Sequence, residues 1–295
     1  MKIGETFIED TYAEAFSMRF ARLIVTAHDA YWAEMAVREF TGCGTSIIGC
    51  DVEAGRERTL PPDETPDGRP GQAVLLFGIS ADSLSQAVAR RTGQCLMTCA
   101  TTAVYDGLPD AADRAALGSY LRFFGDGFQR CKVIGGHKFW RIPVSDGEFL
   151  VADSTGIKKG VAGGNLIIQA ASLEAGLAAA RRAADALAEM PGVIAPFPGG
   201  VVRSGSKVGS RYKKLRASTN EAYCPDLRGR AASQLHPDAN CAYEIVIDGI
   251  DVGAVRGAMG AAARAAVGSG VLVLTAANYG GNLGKYHIPL REVLR

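Results

Sequence analysis

The chain reads as an α+β protein of two similar lobes, each an antiparallel sheet with helices packed on one face. Two observations lead there. The first is a repeat in the C-terminal half. A strand-like run at 166–170, a helix-like run at 173–190 and a second strand at 192–197 end at Gly199-Gly200. Residues 243–248, 252–267 and 270–276 follow the same order and end at Gly280-Gly281. The first strands lie 77 residues apart, the second strands 78 and the glycine pairs 81. A duplicated strand–helix–strand unit is a fold signal. The second observation is that the N-terminal half also divides into two such units.

In that half, 16–26 is rich in β-formers. Asp29 is placed to cap a helix to about Phe40, with Trp32, Met35, Ala36 and Phe40 on one face. Gly42-Cys43-Gly44 ends it, and 45–50 is a short apolar strand. Strand 73–79, an Asp82-capped helix at 84–91, a stop at Gly93 and a strand at 95–100 complete the second unit. Between the units, 60–71 carries Pro61, Pro62, Pro66 and Pro70, a stiff connector or a loop that reaches a neighbour or ligand. Residues 105–117 read as a helix broken by Gly107 and Pro109. Asp126-Gly127 and Asp146-Gly147 mark hairpin turns within 121–151.

In the second half, Ser172 caps a helix whose Leu173, Leu177, Ala180, Ala184 and Leu187 share a face. The helix at 252–267 is built of small residues, including Gly253, Gly257 and Gly260. Each glycine costs up to about 1 kcal/mol of helix propensity relative to alanine, so close packing on two sides is expected. Four units, two per half, make two pseudo-symmetric ferredoxin-like lobes, with the boundary at 150/151.

Bulk properties narrow the function. The 295 residues carry a net charge of +1, with 47% hydrophobic and 21% charged residues. That balance opposes a dedicated nucleic-acid binder. No apolar run has the length of a membrane span, and the first residues lack a signal core. The seven cysteines form no CxxC pair and the four histidines are dispersed, so reduced thiols and no metal site are expected. The glycine-rich segments lack the full nucleotide-binding patterns.

Several segments, in order and spacing, match one family. They are 9–16 (EDTYAEAF), 65–71 (TPDGRPG), 123–127 (FFGDG) and 160–165 (GVAGGN). Further along come 195–200 (APFPGG), 206–210 (SKVGS), 217–225 (ASTNEAYCP), 243–247 (YEIVI) and 278–284 (NYGGNLG). Over essentially its whole length the chain resembles formylmethanofuran:tetrahydromethanopterin formyltransferases. The resemblance implies a cytoplasmic acyltransferase of one-carbon metabolism. It would move a formyl group between a methanofuran-type amine and tetrahydromethanopterin, both substrates, with no tightly bound cofactor. It also implies a proximal lobe (1–150), a distal lobe (151–295) and a homotetramer. The neutral, Ala- and Arg-rich composition departs from strongly acidic archaeal members. It points to the bacterial methylotroph type, with formaldehyde oxidation as the direction and formylmethanofuran hydrolase subunits as partners.

Transfer of a formyl group between nitrogens needs a proton removed from one and supplied to the other, work for one carboxyl of raised pKa. Glu244 is the candidate, since the resemblance places the family's proposed acid–base there. Strand alternation sets it with Val246, apart from Tyr243, Ile245 and Ile247. It is then either a solvated edge glutamate or a partly buried acid. Oxyanion donors are sought at Gly199-Gly200, Gly280-Gly281 or Asn278, although each glycine pair also reads as a tight turn. Lys207 and Arg211 lead a basic stretch (with Lys213, Lys214 and Arg216) suited to anionic substrate tails, or else a solvated loop. The matching segments add Tyr223 and Tyr279 as substrate-binding candidates. A formyl-thioester route would fall to Cys95, Cys99 or Cys224. The alternative to an enzyme is a non-catalytic assembly or regulatory subunit with ligand-binding lobes.

Overall fold

The computed structural model describes residues 1–188 and 190–295. The chain forms two compact units, Met18–Gly160 and a second that joins Met1–Ser17 to Val161–Arg295. This division differs from the expected cut at 150/151, because the N-terminal residues pack with the second half. Strand pairing is the reason. Thr6–Ile8 runs parallel to Val271–Thr275, and the start of Tyr12–Thr26 pairs antiparallel with Tyr286–Pro289.

In the unit Met18–Gly160, residues 19–26 of the strand Tyr12–Thr26 lie between Gly71–Gly78 and Ala103–Asp106. Glu53–Leu60 pairs on the far side of Gly71–Gly78. All these pairings are antiparallel. With helices Ala30–Thr41 and Ala81–Arg91, this is the expected ferredoxin-like order. The hairpin of His137–Val144 and Gly147–Ala152 turns at Asp146-Gly147, as its sequence signalled, and extends the sheet by a parallel pairing to Ala103–Asp106. Leu23, Val25, Phe40, Val74, Leu76, Leu84 and Val88 form the core.

Three expected elements take a different form in the structure. Residues 45–50 make turns, and the strand begins at Glu53. Its charged sequence hid it: the Glu57 side chain is buried, held by two 2.7 Å bonds from Arg22. Residues 95–100 continue from a π-turn at Thr92–Leu96, and the fourth strand is Ala103–Asp106. The expected helix at 105–117 is replaced by Ala103–Asp106 and Asp113–Ala116, since Gly107 and Pro109 break any helix between them.

In the other unit the strand order is Val271–Thr275, Ser154–Ala170, Cys241–Gly249, Val193–Ile194, again ferredoxin-like. Helices Leu173–Asp185 and Val252–Ala266 cover one face. The first is shorter than expected, and Glu189 of the anticipated 173–190 run lies outside the described residues. Its buried face also differs. Leu173 and Leu177 are 54% and 48% exposed, while Gly176, Ala179, Ala180 and Ala183 are buried. Small side chains win that face because the helix packs against the equally small face of Val252–Ala266. Among the described residues, the four long helices each start on a side-chain cap. Asp29, Ser80, Ser172 and Asp251 each accept the N–H of the third residue on, worth about 1 kcal/mol apiece. Ser80, rather than Asp82, caps the second.

Candidate active site

The sheet of the unit Met1–Ser17 with Val161–Arg295 has a second face that the helices leave free. Glu244 stands on it. In the register of three adjacent strands, Glu244 pairs with Ile167 and Ile167 with Thr275, so the three form one row across the sheet. Alternation sends Ile245 and Ile247 into the helix-side core, as the sequence predicted.

The connection 195–240 covers this row. Val202 and Glu244 bridge it to the strand. Further along, the buried Gln169 accepts the N–H of His236 at 2.7 Å and donates to the Gln234 carbonyl at 3.2 Å. Tyr223 donates to the Gln234 side chain at 2.7 Å. The covering segment is thus fastened by polar groups of the sheet, and it leaves two clefts. One lies beside Glu244, with Val202, Ser204, Asn220, Tyr223 and Cys224 around it. The other has a volume of about 330 Å³ and is lined by Glu9, Thr11, Lys207, Gln234, Asn278 and Tyr279 among others. Asn220 and Tyr223 border both.

Glu244 keeps partial exposure as a residue, but protein surrounds its carboxyl, and that burial pushes its pKa up to about 7. No solvated edge glutamate would show this. The phenol of Tyr223 is pushed up by burial and by the charges of Glu9 and Glu244. That of Tyr279 is pushed up by burial and by Glu244 and Glu14. Both stay protonated donors in the field of the acid. Cys224, also beside Glu244, has its thiol pushed up by burial, which leaves it a poor nucleophile.

The structure therefore gathers Glu244, Tyr223, Lys207, Asn278 and Tyr279 around adjoining clefts. Lys207 is ion-paired with Glu221 there. The other candidates lie elsewhere. Arg211 is exposed and lines neither cleft. Gly199 and Gly200 form a turn with φ of 62° and 76°, and Gly200 packs on a helix: a Cβ there would meet that of Ala184 at 2.8 Å. Gly280 and Gly281, with φ of 69° and 79°, shape the turn beyond Asn278 and line neither cleft. Sequence reasoning missed Asn165, which binds both the N–H and the carbonyl of Ala277 at 2.6 and 3.0 Å. It also missed Asn220 and Gln234. Asn165 and Asn220 fall within the matching segments 160–165 and 217–225, whereas Gln234 has no such signal, and its contact with Gln169 joins residues 65 positions apart.

A carboxyl of pKa near 7 between phenol and amide donors suits proton transfer at a nitrogen centre. Among the described residues, no three His, Cys, Asp or Glu side chains are placed to hold a metal ion, and no helix is long and apolar enough to cross a membrane.

The sequence model described as formylmethanofuran-tetrahydromethanopterin formyltransferase matches residues 1–144, and the one for the proximal lobe of the same family matches 147–293. The chain belongs to the formylmethanofuran–tetrahydromethanopterin formyltransferase family. The proximal name, expected for the first half, therefore goes with the second in this family's description. The chain is 50% identical to the formylmethanofuran–tetrahydromethanopterin formyltransferase of Methylobacillus flagellatus, over 100% of both chains. Its fold is similar to that of the formyltransferase from Methanosarcina barkeri, with a TM-score of 0.95, 44% identity and coverage of 99% and 100%. It is also similar to a chain of the formyltransferase/hydrolase complex from Methylorubrum extorquens, a structure in complex with methylofuran. The TM-score there is 0.94, with 46% identity and coverage of 98% and 96%.

Proposed function

We propose that this formyltransferase-family chain moves a formyl group between the amine of a methanofuran-type cofactor and a ring nitrogen of tetrahydromethanopterin, with Glu244 as general acid–base. The incoming nitrogen attacks the formyl carbon, and the carbonyl π pair moves to oxygen. Glu244 takes the proton released from that nitrogen. Collapse of the tetrahedral oxyanion breaks the other C–N bond, and Glu244 returns the proton to the departing amine. One carboxyl completes the cycle unchanged, and no net proton is consumed. Tyr223, Asn278 and Tyr279 are the substrate-binding cleft residues of this reading, with Lys207, beside its partner Glu221, assigned to an anionic tail.

The observation that carries it is the position of Glu244: a carboxyl withdrawn from water, at a pKa of about 7, on the wall of a cleft. An acid tuned near neutrality both accepts and donates at little cost. Within the same reading the chain works in the cytoplasm as a homotetramer that meets formylmethanofuran hydrolase subunits, in the direction of formaldehyde oxidation. The relative found in a formyltransferase/hydrolase complex supports the hydrolase contact.

The test is formyl transfer between formylmethanofuran and tetrahydromethanopterin, followed by pterin absorbance, for wild type and Glu244→Gln. A fall in kcat of about a hundredfold or more in the variant is the expected result. Equal turnover in the two proteins sinks the assignment of Glu244. Absence of turnover in folded wild type sinks the activity.

A further inference from the structure

The wall of the larger cleft is organised from a residue 265 positions earlier in the chain. Glu14, on the strand Tyr12–Thr26, is only 1% exposed. Its carboxylate accepts the backbone N–H of Tyr279, of Leu283 at 2.9 Å and of Gly284 at 3.0 Å. Burial alone pushes such a carboxyl up. The N–H groups of Gly284, Leu283, Tyr279 and Gly281 outweigh it and hold the pKa at about 2. Those N–H groups favour the ionised form of Glu14, and a charged acceptor makes the stronger hydrogen bonds.

The turn has little apolar burial of its own. Gly280, Asn282, Leu283 and Lys285 are exposed. It also lies close to the strand it is tied to: a Cβ on Gly284 would meet the Glu14 carbonyl carbon and the Ala15 carbonyl oxygen, both at 2.9 Å. Just before the turn, the Asn278 amide donates to Thr11 Oγ1 at 3.2 Å and to the Tyr12 carbonyl at 3.3 Å. Asn278 and Tyr279, which the turn carries, line the cleft.

We propose that Glu14 is a positioning residue of the transfer site: its buried carboxylate gathers the N–H groups of the 279–284 turn and so holds Asn278 and Tyr279 as a cleft wall. This rests on the reading of the Glu244 clefts as the place of formyl transfer. Glu14 touches neither cleft and acts through the turn. Glutamine at this position keeps one acceptor oxygen and turns an NH₂ group toward backbone donors, so at least one N–H loses its partner. The shorter Glu14→Asp keeps the charge.

The experiment is hydrogen–deuterium exchange of the 277–286 segment combined with steady-state kinetics, on wild type, Glu14→Gln and Glu14→Asp. In Glu14→Gln, exchange in the turn should rise by about tenfold or more. Exchange in the helix Val252–Ala266 should stay as in wild type. KM for one of the two substrates should rise by about tenfold while kcat stays within about threefold. Glu14→Asp should recover part of both effects. Unchanged turn exchange, or unchanged KM values with a loosened turn, overturns the proposal. So does exchange that rises equally throughout the chain. If Glu14→Gln does not fold, Glu14→Asp and Gly284→Ala carry the same two readouts. A folded wild type without turnover counts against the formyl-transfer reading itself, and the exchange data then still decide whether Glu14 anchors the turn.

Discussion

Val202 and Glu244 exchange both of their backbone hydrogen bonds, Val202 N–H to the Glu244 carbonyl at 2.7 Å and Glu244 N–H to the Val202 carbonyl at 3.1 Å. This two-bond bridge fastens the covering segment beside the proposed catalytic carboxyl, and so helps to create the burial that tunes it. Val202→Pro removes the shorter bond. It should cost about 1–3 kcal/mol and admit water to the acid. The Glu244 pKa then falls from about 7 toward the usual carboxylate range. The acid limb of the kcat/KM profile should move to lower pH. A limb that stays in place would show that the bridge does not govern the burial of Glu244.

The tuning of Glu244 has a consequence for stability. Its folded pKa, about 7, is above the unfolded value of about 4.5. The folded state therefore binds the proton more tightly. The stabilisation is complete below about pH 4.5 and lost as pH rises through 7. Glu244→Gln carries no such charge. It should be more stable than wild type at pH 8, by up to about 3 kcal/mol, with the difference shrinking toward pH 4.5. Urea unfolding of both proteins at the two pH values reads this. An equal difference at both would mean that the carboxyl is ordinarily hydrated.

Gly200 separates a packing role from a catalytic one. Its φ of 76° and its closeness to Ala184 leave no room for a Cβ. Gly200→Ala should lower stability by about 1–3 kcal/mol, visible as a lower melting temperature, and change kcat by less than about threefold. A hundredfold fall in kcat with stability unchanged would return this glycine to the oxyanion site.

The two-lobe architecture was legible because periodicity and caps are local. The repeat at 166 and 243 marks the first strand–helix–strand unit and its copy in one sheet. Ser172 caps its helix as expected, and Ile245 and Ile247 fill the core while Glu244 faces away. Local pattern failed where burial depends on distant partners. The strand Glu53–Leu60 looked too charged, yet its Glu57 is neutralised by Arg22. Leu173 and Leu177 looked like a core face, yet the approach of another small-faced helix turned them to solvent.

The order of residues alone carried the fold class, the family resemblance and the single acid worth testing. Strand alternation and the reaction's need for a proton carrier are properties that a short stretch of chain already expresses. Folding alone brought Val202 against Glu244, Asn165 to Ala277 and Glu14 to the turn at 279–284. Each of those contacts joins groups far apart in the chain through backbone donors and acceptors. Every residue type except proline carries both, so their identities announce nothing in advance.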